Sequence, residues 1–167
     1  TVGRTRRLMT RVGATAEQGS KMHRISSVLA RKGATILSIS SGELVIEAIR
    51  RMAEAGVGSI LIVDGGELVG IFTERDYLRR IALQGRRSDE TSISDVMTTK
   101  IICVGPEESV EQCMAVMTEQ RIRHLPVMEG EKLLGVVSIG DLVRQISREQ
   151  AERIRYLTEY VSGSYPG

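Results

Sequence analysis

At 167 residues, 41% of them apolar and with a net charge of +2, the chain has the length of one domain or of two very small ones, and it holds no apolar run long enough to cross a bilayer. Aromatic residues make up only 3%, with no Trp and with Phe72 as the one Phe, which argues against the stacking platforms that hold single-stranded nucleic acid. The two cysteines, Cys103 and Cys113, form neither a C-x-x-C motif nor a disulfide framework; one reads as a strand position and the other as an apolar helix position, so both are expected to be reduced and buried.

The first 42 residues carry eight Lys or Arg and one acid, Glu17. Residues 1–21 lack periodicity and read as a basic arm, similar in composition to a mitochondrial presequence or its remnant, with a solvated tail as the plain alternative. Residues 22–32 place Ile25, Val28 and Leu29 at helical spacing and end at Gly33. Ile36, Leu37 and Ile39 predict a short strand. Ser41 precedes an amphipathic helix with Val45, Ala48, Ile49 and Met52 on one face and Gly56 just past its end. Two β-rich runs, 59–63 and 68–73, flank Asp64-Gly65-Gly66 and predict a hairpin. Helical spacing returns over 74–83, followed by a polar connector at 85–90.

The same order then recurs. A short lead-in helix holds Ile93, Val96 and Met97, a strand covers 101–104, and a helix covers 109–120 with Pro106 at its first turn. A second hairpin spans 125–138, and a helix starts at Asp141. That helix runs on, with Ile146, Ile154, Leu157 and Val161 roughly on one face, until the tail 163–167. Its apolar stripe is expected to pack back on its own module or against a twin subunit.

The recurrence is an internal repeat. Shifted by 65 places, residues 43–79 fall on 108–144 without a gap: Glu43 on Glu108, Met52 on Met117, Gly65 on Gly130, Gly70 on Gly135, Asp76 on Asp141 and Arg79 on Arg144. Two copies of about 60 residues have marginal cores alone and are expected to stabilise one another. Each unit reads as helix–strand–helix–strand–strand–helix, an α/β arrangement with a small three-stranded sheet in each half, related by a pseudo-twofold. The predicted organisation is an arm at 1–21, one repeat at 22–87, a second at 88–148 and a helical extension with tail at 149–167.

In both copies an apolar strand ends in a hydroxyl residue, Thr73 or Ser138, with an acid, Asp76 or Asp141, three places later as a helix begins. Helix capping accounts for that spacing. A helix N-terminus with a hydroxyl also suits a phosphate, and a carboxylate one turn in can accept from both hydroxyls of a ribose.

The order of elements, the hairpins ending in G-h-h-T/S-x-x-D and the duplication resemble a cystathionine-β-synthase (CBS) domain pair, or Bateman module. The resemblance covers roughly residues 22–148 and is carried by the stretches at 71–77, 123–127 and 138–143. The wording is similar to small stand-alone CBS-pair proteins of bacteria and plant mitochondria. It implies a regulatory ligand (AMP, ADP, ATP, NAD or S-adenosylmethionine) between the repeats, with no obligatory cofactor. It further implies that Asp76 and Asp141 hold ribose, that Thr73 and Ser138 hold phosphate or ribose, and that Gly58-Ser59 and Arg123-His124 line the pocket. Backbone near Ser38–Ser40 and Cys103–Gly105 would meet the adenine edge.

The copies differ where Gly56 and Gly58 become Arg121 and Arg123. Guanidinium groups suit bidentate phosphate contact, so Arg121, Arg123 and His124 point to the second copy's cleft as the better phosphate binder. Two His and two Cys offer no metal-ligand spacing, no dinucleotide fingerprint is present, and no catalytic constellation stands out. The leading reading is a non-enzymatic adenine-nucleotide sensor that dimerises through its CBS modules and modulates a partner. The other is an accessory subunit of a larger assembly, docked through the arm or the C-terminal helix. Nucleic-acid binding through the arm has no motif behind it. The arm points to the mitochondrial matrix, with a bacterial cytoplasm as alternative.

Overall fold

The computed structural model describes residues 8–13, 23–33 and 36–162. The two predicted units alternate strand and helix as the periodicity requires. In the first, β2 (Ser38–Ile39), α2 (Val45–Ala55), β3 (Ser59–Asp64), β4 (Glu67–Thr73) and α3 (Glu74–Tyr77) follow α1 (Ile25–Lys32). In the second, β5 (Lys100–Cys103), α4 (Val110–Gln120), β6 (His124–Glu129), β7 (Lys132–Ser138) and α5 (Ile139–Val161) follow a 3₁₀ turn at Ile93–Asp95. Most of the basic arm and the tail 163–167 lie outside the described residues. Within the arm, Leu8–Arg11 forms β1, which pairs in parallel with β5, Met9 opposite Ile101.

Both hairpins carry an irregularity at the same repeat position, between Ile62 and Val63 and between Val127 and Met128. The sheets are less equal than the sequence implies. β2, β3 and β4 make a three-stranded sheet, whereas β6 and β7 form a pair that β5 meets only at its end, through a parallel bridge of Val104 with Val127. β5 is occupied instead by β1.

Three other local expectations change. Ser41 does not cap α2, which starts after an extended Leu44 with no side-chain cap; the Ser41 amide donates to Asp64 Oδ1 at 3.0 Å. Pro106 is not in the first turn of α4, whose N-cap is Ser109 in a capping box with Gln112; the Pro106 carbonyl accepts from the Ser26 amide at 2.9 Å and so ties down α1. The helix expected over 74–83 makes one α turn and widens into a π segment at Leu78–Ala82.

Three apolar clusters hold the fold. Ile60, Ile62 and Phe72 pack under α2 with Val45, Ala48 and Met52. Leu125, Val127 and Val137 pack with Val110, Cys113 and Met117 of α4. Successive strand residues face opposite ways, so Leu61 and Ile71 point away from the first core and meet Ile101, Cys103 and Met128 in a third cluster between the repeats. Both cysteines are buried and unbridged, as expected.

The lead-in segments are exchanged. Ile25 and Val28 of α1 belong to the core of the second repeat, while Ile93 and Val96 belong to that of the first. This explains the glycine shared by the two hairpins. A Cβ on Gly135 would lie 2.9 Å from Leu29 Cδ2, and one on Gly70 would lie 2.6 Å from Met97 Sδ, so each lead-in side chain lies over the other repeat's strand. α5, by contrast, leaves the body. Of the predicted stripe, Ile146 packs on the core of the second repeat, whereas Ile154, Leu157 and Val161 are exposed and do not pack back on the module.

Candidate functional site

The exchange creates two clefts, each with parts from both repeats. The first, of about 380 Å³, sets Thr73 and Asp76 of the first repeat against Ile101, Ile102, Arg121, Arg123 and His124 of the second. The other, of about 450 Å³, sets Ser138, Asp141 and Arg144 of the second repeat against Ile36, Leu37, Gly56, Gly58 and Ser59 of the first, with Lys32 from the end of α1. Gly58 and His124 line both.

Two expectations are corrected by this arrangement. Arg121 and Arg123 do not share a cleft with Ser138 and Asp141. Arg123 is joined to its own hairpin through its carbonyl, which accepts from the Ile139 amide at 2.9 Å, but it lines the cleft of Thr73 and Asp76. Arg75 fixes the contact across the repeats by donating to the Arg121 carbonyl at 2.7 Å. Ser38 and Cys103 line neither cleft; residues one and two places earlier in each copy do. The Cys103 side chain is buried against β1, its thiol 3.8 Å from the Thr10 carbonyl, and the Ser38 carbonyl accepts from Arg51 at 3.1 Å.

Both hydroxyl–carboxylate pairs are capping boxes. Thr73 Oγ1 accepts from the Asp76 amide, and Asp76 Oδ2 accepts from the Thr73 amide at 3.0 Å. Ser138 Oγ accepts from the Asp141 amide, and Asp141 Oδ2 accepts from the Ser138 amide at 2.8 Å. The helices behind them differ. α3 has four residues and runs on as the π segment to Ala82, whereas α5 is one α-helix of 23, so backbone dipoles stand behind both hydroxyls and are more fully aligned behind Ser138.

The further partners of the two carboxylates differ more. Asp76 Oδ1 accepts from the Thr98 hydroxyl at 3.2 Å and has one cation among the described residues, Arg80, at 3.8 Å. Asp141 takes two cations: Lys32 Nζ lies 2.7 Å from Oδ2 and Arg144 Nη2 lies 2.7 Å from Oδ1. Burial alone would raise the Asp141 carboxyl, but the Lys32 ammonium, the Ser138 amide and Arg144 hold it below its ordinary value. Lys32 also donates to the Val136 carbonyl at 3.0 Å. Thr98 pairs with Ile71, the repeat counterpart of Val136. Lys32 and Thr98 therefore stand at matching places in the two clefts, one charged and one neutral. The gapless repeat begins at Glu43, after the first lead-in helix, so comparison of the copies could not bring Lys32 to notice.

His124 sits on the wall between the clefts. Burial, and then the Lys32 ammonium, push its imidazole below the usual histidine value, with Glu74 and Asp141 opposing and Arg123 reinforcing. Among the described residues no group of His, Cys, Asp and Glu is arranged to hold a metal ion, and no helix is long and apolar enough to cross a membrane.

Known proteins share this architecture. The CBS domain pattern matches residues 22–83 and 93–148. The mitochondrial CBS domain-containing protein CBSX3 of Arabidopsis thaliana is 40% identical over 158 residues, covering 89% of this chain and 77% of its own. The solved structure of a protein with CBS domains from Burkholderia ambifaria superposes with a TM-score of 0.71 at 46% identity, covering 75% of this chain and 93% of that one. A more distant structure, the CBS domain pair of protein MJ0100 in complex with 5′-methylthioadenosine and S-adenosyl-L-methionine, superposes with a TM-score of 0.66 at 23% identity, covering 75% of this chain and 97% of that one. The chain belongs to the CBS domain family and carries two copies of that domain as a tandem pair.

Proposed function

We propose that this chain is a non-catalytic regulatory module that binds an adenine nucleotide (AMP, ADP, ATP or NAD) between its repeats and thereby modulates a partner. The observation that carries this reading is the composition of the Asp141 cleft. A hydroxyl and a carboxylate at the start of a long helix face apolar residues, Ile36 and Leu37, from the other repeat. Ribose hydroxyls can be accepted by Asp141, phosphate can meet the helix N-terminus, and an adenine ring can lie on the apolar side. Because the walls come from different repeats, a ligand there bears on how they sit together, and it transmits only its difference in affinity between two arrangements. The adenosine compounds held by the MJ0100 pair agree with this choice. Calorimetry with AMP, ATP and NAD on the full chain tests it: binding is expected and should be lost in Asp141→Ala. If none of the three binds, the reading is wrong.

A second reading, a structural subunit that docks through α5, has its own observation. Ile154, Leu157 and Val161 stand exposed at the three- and four-residue spacing of a coiled-coil seam. Arg153 and Arg155 are balanced there by Glu152 and Glu159, which suits an identical helix. The occupant on this reading is a second copy of the chain. Sedimentation should show a dimer that Ile154→Glu with Leu157→Glu converts to monomer; a mass unchanged by the pair of substitutions removes it. For compartment, the mitochondrial matrix is the proposal, on the basic arm and the mitochondrial relative, and bacterial relatives keep a bacterial cytoplasm as the alternative.

A further inference from the structure

The Asp141 cleft does not end at Asp141. A depression of about 160 Å³ shares Lys32, Asp141 and Arg144 with it and continues to Arg31, Gln145 and Arg148. Four cations from two helices, Arg31 and Lys32 at the end of α1 and Arg144 and Arg148 one turn apart on α5, thus line one continuous surface with Asp141 as its one carboxylate. The nearest further acid along α5, Glu149, is engaged elsewhere, accepting from Gln145 Nε2 at 2.6 Å and lying 2.9 Å from His23 Nδ1. Arg31 reaches the neutral Gln145 Oε1 at 3.3 Å. The dipole of α1 favours cations in its last turn, which accounts for Arg31 and Lys32 but gives no reason for Arg144 and Arg148 on α5.

We infer that the Asp141 cleft takes a nucleoside triphosphate, with the phosphate chain running from the N-terminus of α5 onto Lys32 and Arg144 and ending between Arg31 and Arg148. This rests on the nucleotide reading above and deepens it. The ammonium of Lys32 and the guanidinium of Arg144 each carry more N–H donors than Asp141 uses, so both can meet phosphate oxygens while the carboxylate accepts from the ribose hydroxyls. A single phosphate is then matched by those two cations. Arg31 and Arg148 lie beyond it and are used only by a longer chain, whose roughly four negative charges meet four cations offset by the single carboxylate of Asp141. The other cleft cannot offer the same match, since Glu74 and Asp76 both line it among its arginines.

The test is calorimetry of the full chain with AMP, ADP and ATP at one ionic strength without divalent metal, repeated on the double variant Arg31→Gln, Arg148→Gln. Both side chains are exposed, so the variant is expected to fold, which its circular dichroism and melting midpoint verify. Affinity should rise from AMP to ATP by about tenfold or more, as charge-assisted phosphate contacts accumulate. The double variant should lose that rise and keep its AMP affinity. Equal AMP and ATP affinities in the native chain would overturn the inference and leave the nucleotide reading standing. So would a preference for ATP that survives in the variant, which would assign it to Arg121 and Arg123. Absence of binding by all three nucleotides would overturn both.

Discussion

Lys32 Nζ lies 2.7 Å from Asp141 Oδ2, and this contact joins the end of α1 to the start of α5 within the cleft. Asp141 is 8% exposed and Lys32 about a third exposed, so the pair is neither a fully solvated surface bridge nor a dry interior one. Asp141→Asn keeps the shape of the capping box but removes the charge that Lys32 and Arg144 face. It should destabilise the fold by about 1–2 kcal/mol at neutral pH, the range for a charged hydrogen bond in a partly wet site. Because the folded carboxyl lies below its ordinary value, protonation favours the unfolded chain. The contribution is complete above the unfolded carboxylate value and is lost as pH falls through the lower, folded value. Urea midpoints of the native chain and Asp141→Asn should differ at pH 7 and converge in strong acid.

Arg121 ends α4 in the left-handed region, φ 54°, where its repeat counterpart Gly56 has φ 65°. A side chain there costs about 1 kcal/mol relative to glycine. Arg121→Gly should therefore raise stability by about that amount while removing a cation from the Thr73 cleft. The bond from Arg75 survives, because it ends on the backbone carbonyl. Denaturant unfolding read together with nucleotide titration checks the trade; a variant no more stable than the native chain would remove the strain argument.

His124 is held below its ordinary value chiefly by burial, so acid favours the unfolded state, in which the ring protonates freely. Stability should be full above the unfolded histidine value of about 6.5 and decline as pH falls from there toward the lower folded value. His124→Gln should flatten the decline between pH 7.5 and 5.5, measured as the urea midpoint. An equally steep profile in the variant would place the titration elsewhere.

Much of this arrangement is legible in the chain because residues 43–79 fall on 108–144 without a gap, and period-2 and period-3.6 patterns are strong within both stretches. Both hairpins, the long helices and the hydroxyl–carboxylate pairs follow from those patterns. The pairing of cleft walls does not. Sequence proximity puts Arg123 with Ser138, whereas packing sets it opposite Asp76, because the exchanged lead-in segments decide which repeat faces which. Lys32 is hidden for the same reason: it lies 109 residues from Asp141, in a helix with no aligned copy. In the second sheet β5 meets β6 through the single bridge of Val104 with Val127 and pairs along its length with β1, within an arm whose composition carries no strand signal.

The glycine common to both hairpins provides a comparison of the two lead-in contacts. At Gly135 an added Cβ meets the end of one Leu29 branch at 2.9 Å and otherwise has room. Leu29 is only partly buried, so it can turn aside. At Gly70 the Cβ meets Met97 Sδ at 2.6 Å and Cγ at 3.1 Å, with the Thr98 carbonyl behind them at 3.3 Å. Methionine can yield, but that carbonyl belongs to the Ile71–Thr98 bridge, whose two backbone hydrogen bonds are 2.9 and 3.0 Å long. Gly70→Ala should thus cost more than Gly135→Ala, about 2–3 kcal/mol against about 1 on the scale of overpacked interiors. Gly70→Ala should also move Thr98 away from Asp76. Melting midpoints of the two variants give the order, and amide exchange at Thr98 and Ile71 identifies the cause: faster exchange at these positions is expected in Gly70→Ala alone. Equal losses in the two variants would mean that the Thr98 carbonyl yields as readily as the Leu29 branch.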